Sequence, residues 1–245
     1  MKNELQSEFP KVTQLTTIAR MKKHPDYQAA KSGDITAAYN LIRDLLGSTQ
    51  LKKIRALGQQ YPDAILTGVY AEEGTGKNKI PHALVCAISE ITGIKDDFNI
   101  VQINRTCHTG SNMAFRLAFR PKFTGIVQDG RDYIIADDVV TSGATLGELR
   151  CYIESLGGKV VHIVAVAAAK FSTHIAMSEK TCFNLKTKYS IIPLQLFLRE
   201  NNIYGGSYGY LSEAEARSII NAGTIDAAGN RIAQARRRGS GQKVT

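Results

Sequence analysis

The chain has 245 residues, 43% of them hydrophobic, with 31 Lys and Arg against 22 Asp and Glu and a formal charge of +9, enough apolar material for one large α/β core with a smaller appendage. Several classes drop out: the longest apolar stretch, residues 160–169, is broken by His162 and too short for a bilayer, and residues 1–20 lack the continuous apolar run of a secretory leader. Cys86, Cys107, Cys151 and Cys182 are too scattered for a disulfide framework or paired metal ligands, so the expectation is a cytoplasmic protein with no membrane association.

The first sixty residues read as helical and auxiliary. Asp34 caps a helix carrying Ala37, Ala38, Leu41, Ile42, Leu45 and Leu46 on one face, and Gly47 ends it. Ser48 or Thr49 caps a second helix with Leu51, Ile54 and Leu57 as its stripe, stopped at Tyr61-Pro62. An α/β alternation then begins: strand 64–70, helix 81–92, strand 99–103, strand 133–136, helix 144–156 and strand 160–169. That order predicts a parallel sheet with ligands beyond the carboxyl ends of its strands.

Two loops carry chemistry. After the first core strand, residues 71–78 bring glycines and Lys77 to the start of a helix, a pattern suited to an anion, yet Ala71 and Asn78 depart from a nucleotide P-loop. After strand 133–136 come Asp137 and Asp138, then Thr141, Ser142, Gly143, Ala144 and Thr145 at the opening of a helix. Backbone N–H groups and hydroxyls at such a corner make a cradle for a phosphate monoester. The two acids are suited to accept from neighbouring ribose hydroxyls or to face a magnesium ion. Diol and phosphate together describe a ribose 5-phosphate.

Residues 134–145 thus run as four apolar residues, two acids, two apolar residues and a Thr/Ser/Gly-rich loop, which resembles the 5-phosphoribosyl 1-diphosphate (PRPP) binding motif of type I phosphoribosyltransferases. The resemblance implies a parallel-sheet α/β core over residues 63–170, with a helical extension over 1–62, a hood over 171–235 and a basic tail over 236–245. It implies PRPP held by Asp137, Asp138 and the loop from Thr141 to Thr145, magnesium at the two aspartates, diphosphate at Glu73, Gly74, Thr75, Gly76 and Lys77, and a homodimer. Residues 104–123 sit where such enzymes carry a mobile loop, with Arg105, His108, Arg116, Arg120 and Lys122 as candidates to neutralise the departing diphosphate. Lys170, just past strand 160–169, either contacts a nucleobase oxygen or is a solvated strand end. Thr141 stands where members acting on 6-oxopurines usually carry an aspartate.

Beyond the core, the segments His108-Thr109-Gly110 and 212–217 look closest to less characterised bacterial phosphoribosyltransferase-like proteins of mobile elements. From residue 171 the pattern is irregular apart from a helix at 212–221, where Glu215 completes a capping box. Arg231, Arg236, Arg237, Arg238 and Lys243 form a run without an acid, read as a solvated helix end or a weak nucleic-acid arm. Two functions are expected: transfer of a 5-phosphoribosyl group from PRPP to a nucleobase-like nitrogen acceptor, or a non-catalytic PRPP or nucleotide sensor that binds RNA or DNA.

Overall fold

The computed structural model describes residues 9–73, 76–104, 112–169 and 175–241. Strand β1 (Val12–Thr17) leads through α1 (Ile18–Lys22) and α2 (Tyr27–Lys31) to the helices α3 (Ile35–Leu45) and α4 (Ser48–Gln60). Strand β2 (Ile65–Gly68), the pair β3 (Glu72–Glu73) and β4 (Gly76–Lys77), helix α5 (Ile80–Thr92) and strand β5 (Lys95–Asp96) follow. Next come β6 (Val101–Gln102), α6 (Met113–Ala118), β7 (Phe123–Thr124), β8 (Asp132–Val140), α7 (Ala144–Ser155) and β9 (Lys159–Ala168). Among the described residues, α-helices α8 (Glu179–Tyr189), α9 (Ile191–Glu200), α10 (Glu213–Ile220) and α11 (Ile225–Gly241) follow.

The main sheet has the order β1-β9-β8-β2-β5, with every pairing parallel. The expected α/β architecture with a parallel sheet is therefore the observed one. Strand β8 is buried along nearly its whole length because it lies between two neighbours and under helices on both faces. Its even-numbered Ile134 and Ala136 join Leu66, Val164 and the apolar stripes of α3, α4 and α5 in one core. Its odd-numbered Tyr133 and Ile135 join Ile65, Ile163 and Leu146, Leu149 and Ile153 of α7 in the other, as period-two alternation requires. A third core, with Leu117, Leu185, Leu194, Phe197, Tyr204, Ile219 and Ile232, belongs to the closing helices and α6.

Two expectations change. Residues 99–103 do not enter the parallel sheet: Val101 and Gln102 pair antiparallel with Thr124 and Phe123, and the sheet edge is Lys95–Asp96 instead. The polypeptide turns away because the Asp97 carboxylate accepts the Asn99 N–H at 2.8 Å, a side-chain turn that ends the strand early. The N-terminal stretch is not purely helical, since β1 forms an edge of the sheet against β9. Its Thr-rich sequence hides it, although β-branched residues suit a half-exposed edge strand. The arginine run from Arg231 to Arg238, expected as a solvated helix end or a nucleic-acid arm, lies on α11 with Arg231, Arg237 and Arg238 exposed, while Ala228, Ile232 and Ala235 recur at helical spacing and are buried. No helix among the described residues is long and apolar enough to cross a membrane.

Candidate functional site

The site is built at the carboxyl end of the sheet, where β8 runs on through the acid pair to Val140 rather than stopping at Ala136. Both carboxylates are therefore part of a buried strand, Asp137 at 8% and Asp138 at 6% exposure. Charges so placed must be paired or neutralised. Asp138 is paired: its Oδ2 accepts from Lys31 Nζ at 2.9 Å and from Asn78 Nδ2 at 3.0 Å, and its Oδ1 accepts the Val139 N–H at 2.8 Å. Asp137 accepts the N–H of Asp138 at 2.8 Å. Burial, reinforced by the neighbouring Asp138 charge, pushes the Asp137 carboxyl well above the usual carboxylate range.

These donors decide whether the pair suits magnesium. A hard cation needs carboxylate oxygens with open lone pairs. Asp138 Oδ2 already carries two donors and its other oxygen a backbone N–H. As arranged, Asp138 is largely filled by protein donors rather than open to the magnesium expected at the pair, and among the described residues no cluster of three or more His, Cys, Asp or Glu is placed to hold a metal ion.

The loop after β8 opens α7 as expected. Gly143 caps the helix in the left-handed region, φ +79°, and a Cβ there would lie 2.3 Å from Ile175 Cγ2. Only glycine meets both demands. No side chain caps α7, so its first N–H groups face whatever enters the loop. Arg116, on α6, donates through Nη1 to Thr141 Oγ1 at 2.8 Å and to Ser142 Oγ at 3.2 Å. The two hydroxyls accept from the guanidinium. Burial lowers the Arg116 pKa, so an anion in the loop would relieve that cost. Thr145 is half-buried in the first turn and Ala144 is buried.

The second expected loop stands beside the first, because the Val69 N–H bonds the Ala136 carbonyl at 2.9 Å. Residues Glu72 and Glu73 pair antiparallel with Lys77 and Gly76, and Lys77 is exposed. Asn78, the residue that breaks the P-loop pattern, turns out to bind Asp138 while its Oδ1 accepts the Ile80 N–H at the start of α5. Gly74, Thr75, Arg105, His108 and Lys170 lie outside the described residues.

The basic connection divides by role. Arg116 reaches the loop rather than an exposed helix face. Arg120 is not available to diphosphate: it is 7% exposed, ion-paired with Glu148 of α7 and with the fully buried Glu215 of α10, and its guanidinium lies 4.1 Å from the Tyr204 ring. Tyr204 Oη and Ser212 Oγ also donate to Glu215, at 2.9 and 3.0 Å. Glu215 thus completes the expected capping box of α10 and also anchors a buried cluster joining that helix to α7. Lys31 and Asn78 are site residues that sequence reasoning missed. Nothing in the local pattern of Lys31 marks it, since its partner lies 107 positions away.

No family model matches the chain. In sequence it is similar to Protein TraN of Escherichia coli, 34% identical over 230 residues that make up 94% of this chain and 50% of that protein. It is also similar to an uncharacterised protein of Haemophilus influenzae, 36% identical over 165 residues, 67% of this chain and 36% of that one. The chain spans half the length or less of these relatives. Among solved structures it is similar to a purine phosphoribosyltransferase from Pyrococcus horikoshii, 19% identical over 51% of this chain and 85% of that one, with a TM-score of 0.33. An adenine phosphoribosyltransferase from Rhodothermus marinus gives 13%, 56%, 85% and 0.36 for the same quantities, and a hypoxanthine phosphoribosyl transferase from Trypanosoma cruzi gives 12%, 53%, 68% and 0.38. At these identities and scores the likenesses carry no chemistry over to this chain.

Proposed function

We propose that the chain binds PRPP at the β8–α7 corner and transfers its 5-phosphoribosyl group to a nitrogen acceptor of the nucleobase type, releasing diphosphate. The observation that carries this reading is the juxtaposition of a buried acid pair with an uncapped helix N-terminus whose loop hydroxyls are already oriented by Arg116. A phosphate monoester on the loop would meet backbone N–H groups, two hydroxyl donors and a guanidinium, each a charge-assisted hydrogen bond. The ribose hydroxyls would then fall toward the carboxyl oxygens of Asp137 and Asp138. In the reaction, the bond from the anomeric carbon to diphosphate breaks as the acceptor nitrogen lone pair forms the new bond, through an oxocarbenium-like transition state, and the proton of that nitrogen leaves to solvent. This chain's contribution is to fix both ends of the ribose so that entering and leaving atoms line up. Because Asp138 already carries three protein donors, no step is routed through a metal.

The test is release of diphosphate from PRPP in the presence of a panel of purine and pyrimidine bases. Turnover above background with at least one base is the expected result. Saturable PRPP binding with no turnover for any base would favour the second reading, a sensor that keeps the site without the chemistry. Two observations favour that alternative: Thr141 offers no carboxylate general base, and α11 exposes Arg231, Arg237 and Arg238 in a manner suited to nucleic-acid phosphates.

A further inference from the structure

Asp138 is an unusual acid for a sugar site, because it arrives already satisfied. One oxygen takes both the Lys31 ammonium and the Asn78 amide, and the other takes the Val139 N–H. The pairing is shielded from water, with the Lys31 side chain 20% and the Asp138 side chain 9% exposed. Shielding of that order keeps a charge pair far stronger than on an open surface. Lys31 is also held from behind. The buried Ala30 beside it accepts the Lys79 N–H at 3.1 Å, which ties α2 to the residue preceding α5, next to Asn78.

We infer that Lys31 is the resident cation of this site, a positioning residue whose ammonium does for Asp138 what a divalent metal would otherwise do. The inference rests on the ribose-phosphate reading above. With the Asp138 charge matched by a fixed ammonium, no net negative charge remains there to demand a metal, and the ribose hydroxyls meet carboxyl oxygens whose orientation Lys31 and Asn78 hold. Two consequences follow: ribose 5-phosphate needs no divalent ion to bind, and the segment before the α/β core supplies an indispensable part of the site.

The experiment is calorimetric titration of the full-length chain with ribose 5-phosphate, in EDTA and again in excess magnesium, for the wild type, Lys31→Ala and Lys31→Arg. Melting curves establish that each variant is folded. The wild type is expected to bind equally in both buffers, within about twofold. Lys31→Ala should lose about tenfold or more in EDTA, the scale of one charge-assisted hydrogen bond, and recover when magnesium fills the vacated place. Lys31→Arg, which keeps the charge, should stay close to the wild type in EDTA. Wild-type binding that disappears in EDTA overturns the inference while leaving the ribose-phosphate site intact. So does a folded Lys31→Ala that binds as well as the wild type without metal. Absence of wild-type binding in either buffer overturns the site reading itself, and the inference with it.

Discussion

Asp137 and Asp138 are adjacent in sequence and differ in their partners. Asp138 is ion-paired with Lys31, whereas Asp137 accepts its neighbour's N–H and is pushed by burial and by the Asp138 charge well above the usual carboxylate range. The sign of the resulting pH dependence follows. A carboxyl whose pKa is raised on folding contributes stability that is fully present below its unfolded value near 3.9, and that contribution is lost as pH rises toward the folded value. While the folded group stays protonated and the unfolded one is ionised, the loss is about 1.4 kcal/mol per pH unit. Asp137→Asn keeps an oxygen to accept the Asp138 N–H and removes the titration. Thermal melts at pH 5 and pH 8 should therefore show Asp137→Asn gaining on the wild type as pH rises. An equal difference at the two pH values would mean that Asp137 is not protonated in the fold.

Edge strand β1 attaches to the sheet through its ladder to β9 and through Thr13 Oγ1, 2.8 Å from His162 Nε2. Burial, helped by the Lys11 charge, lowers the His162 pKa to about 4. The folded chain thus favours the neutral ring, and the stability this represents is present above the unfolded value near 6.5 and is lost as pH falls toward 4. His162→Gln, which can still bond Thr13, should remove roughly 1–2 kcal/mol of acid sensitivity after allowance for solvent screening. Hydrogen exchange of the β1 amides should report it: between pH 6.5 and 4.5 the wild-type protection, corrected for intrinsic rates, falls faster than that of the variant. Parallel pH profiles would show that His162 does not govern the edge. What was legible at this scale depended on how local the signal is. The strand-acid-loop-helix order of 133–156 is written in consecutive residues and so is legible, although β8 runs through the acids to Val140 instead of ending at Ala136. Strand β1 was missed because its polar, Thr-rich face lies on a sheet edge, and β5 because two residues carry no periodicity. Helices α8 and α9 are hard to read because their apolar residues become a core only when α6 and Tyr204 join them.

Across the whole molecule, the site draws together segments far apart in the chain: Lys31 from α2, Asn78 before α5, the acids of β8, Arg116 of α6 and Gly143 beneath Ile175. None of the long-range pairings is visible to a reading that moves along the chain, whereas the acid pair and its loop are, which is why the centre of the candidate site was legible and its supports were not. Arg120 illustrates the converse error. Its spacing from Arg116 suggests a shared face, but a buried guanidinium needs its two carboxylates, and Glu148 and Glu215 take its charge into the joint between α7 and the closing helices. On the proposed function, the N-terminus of α7 receives the 5-phosphate. The most direct measurement is a nuclear magnetic resonance titration of the isotopically labelled full chain with ribose 5-phosphate, following backbone amides. The largest saturable shifts should fall on Ser142, Gly143, Ala144 and Thr145, with ribose alone leaving them unmoved. Saturable binding that shifts amides elsewhere and leaves those four unchanged would contradict it.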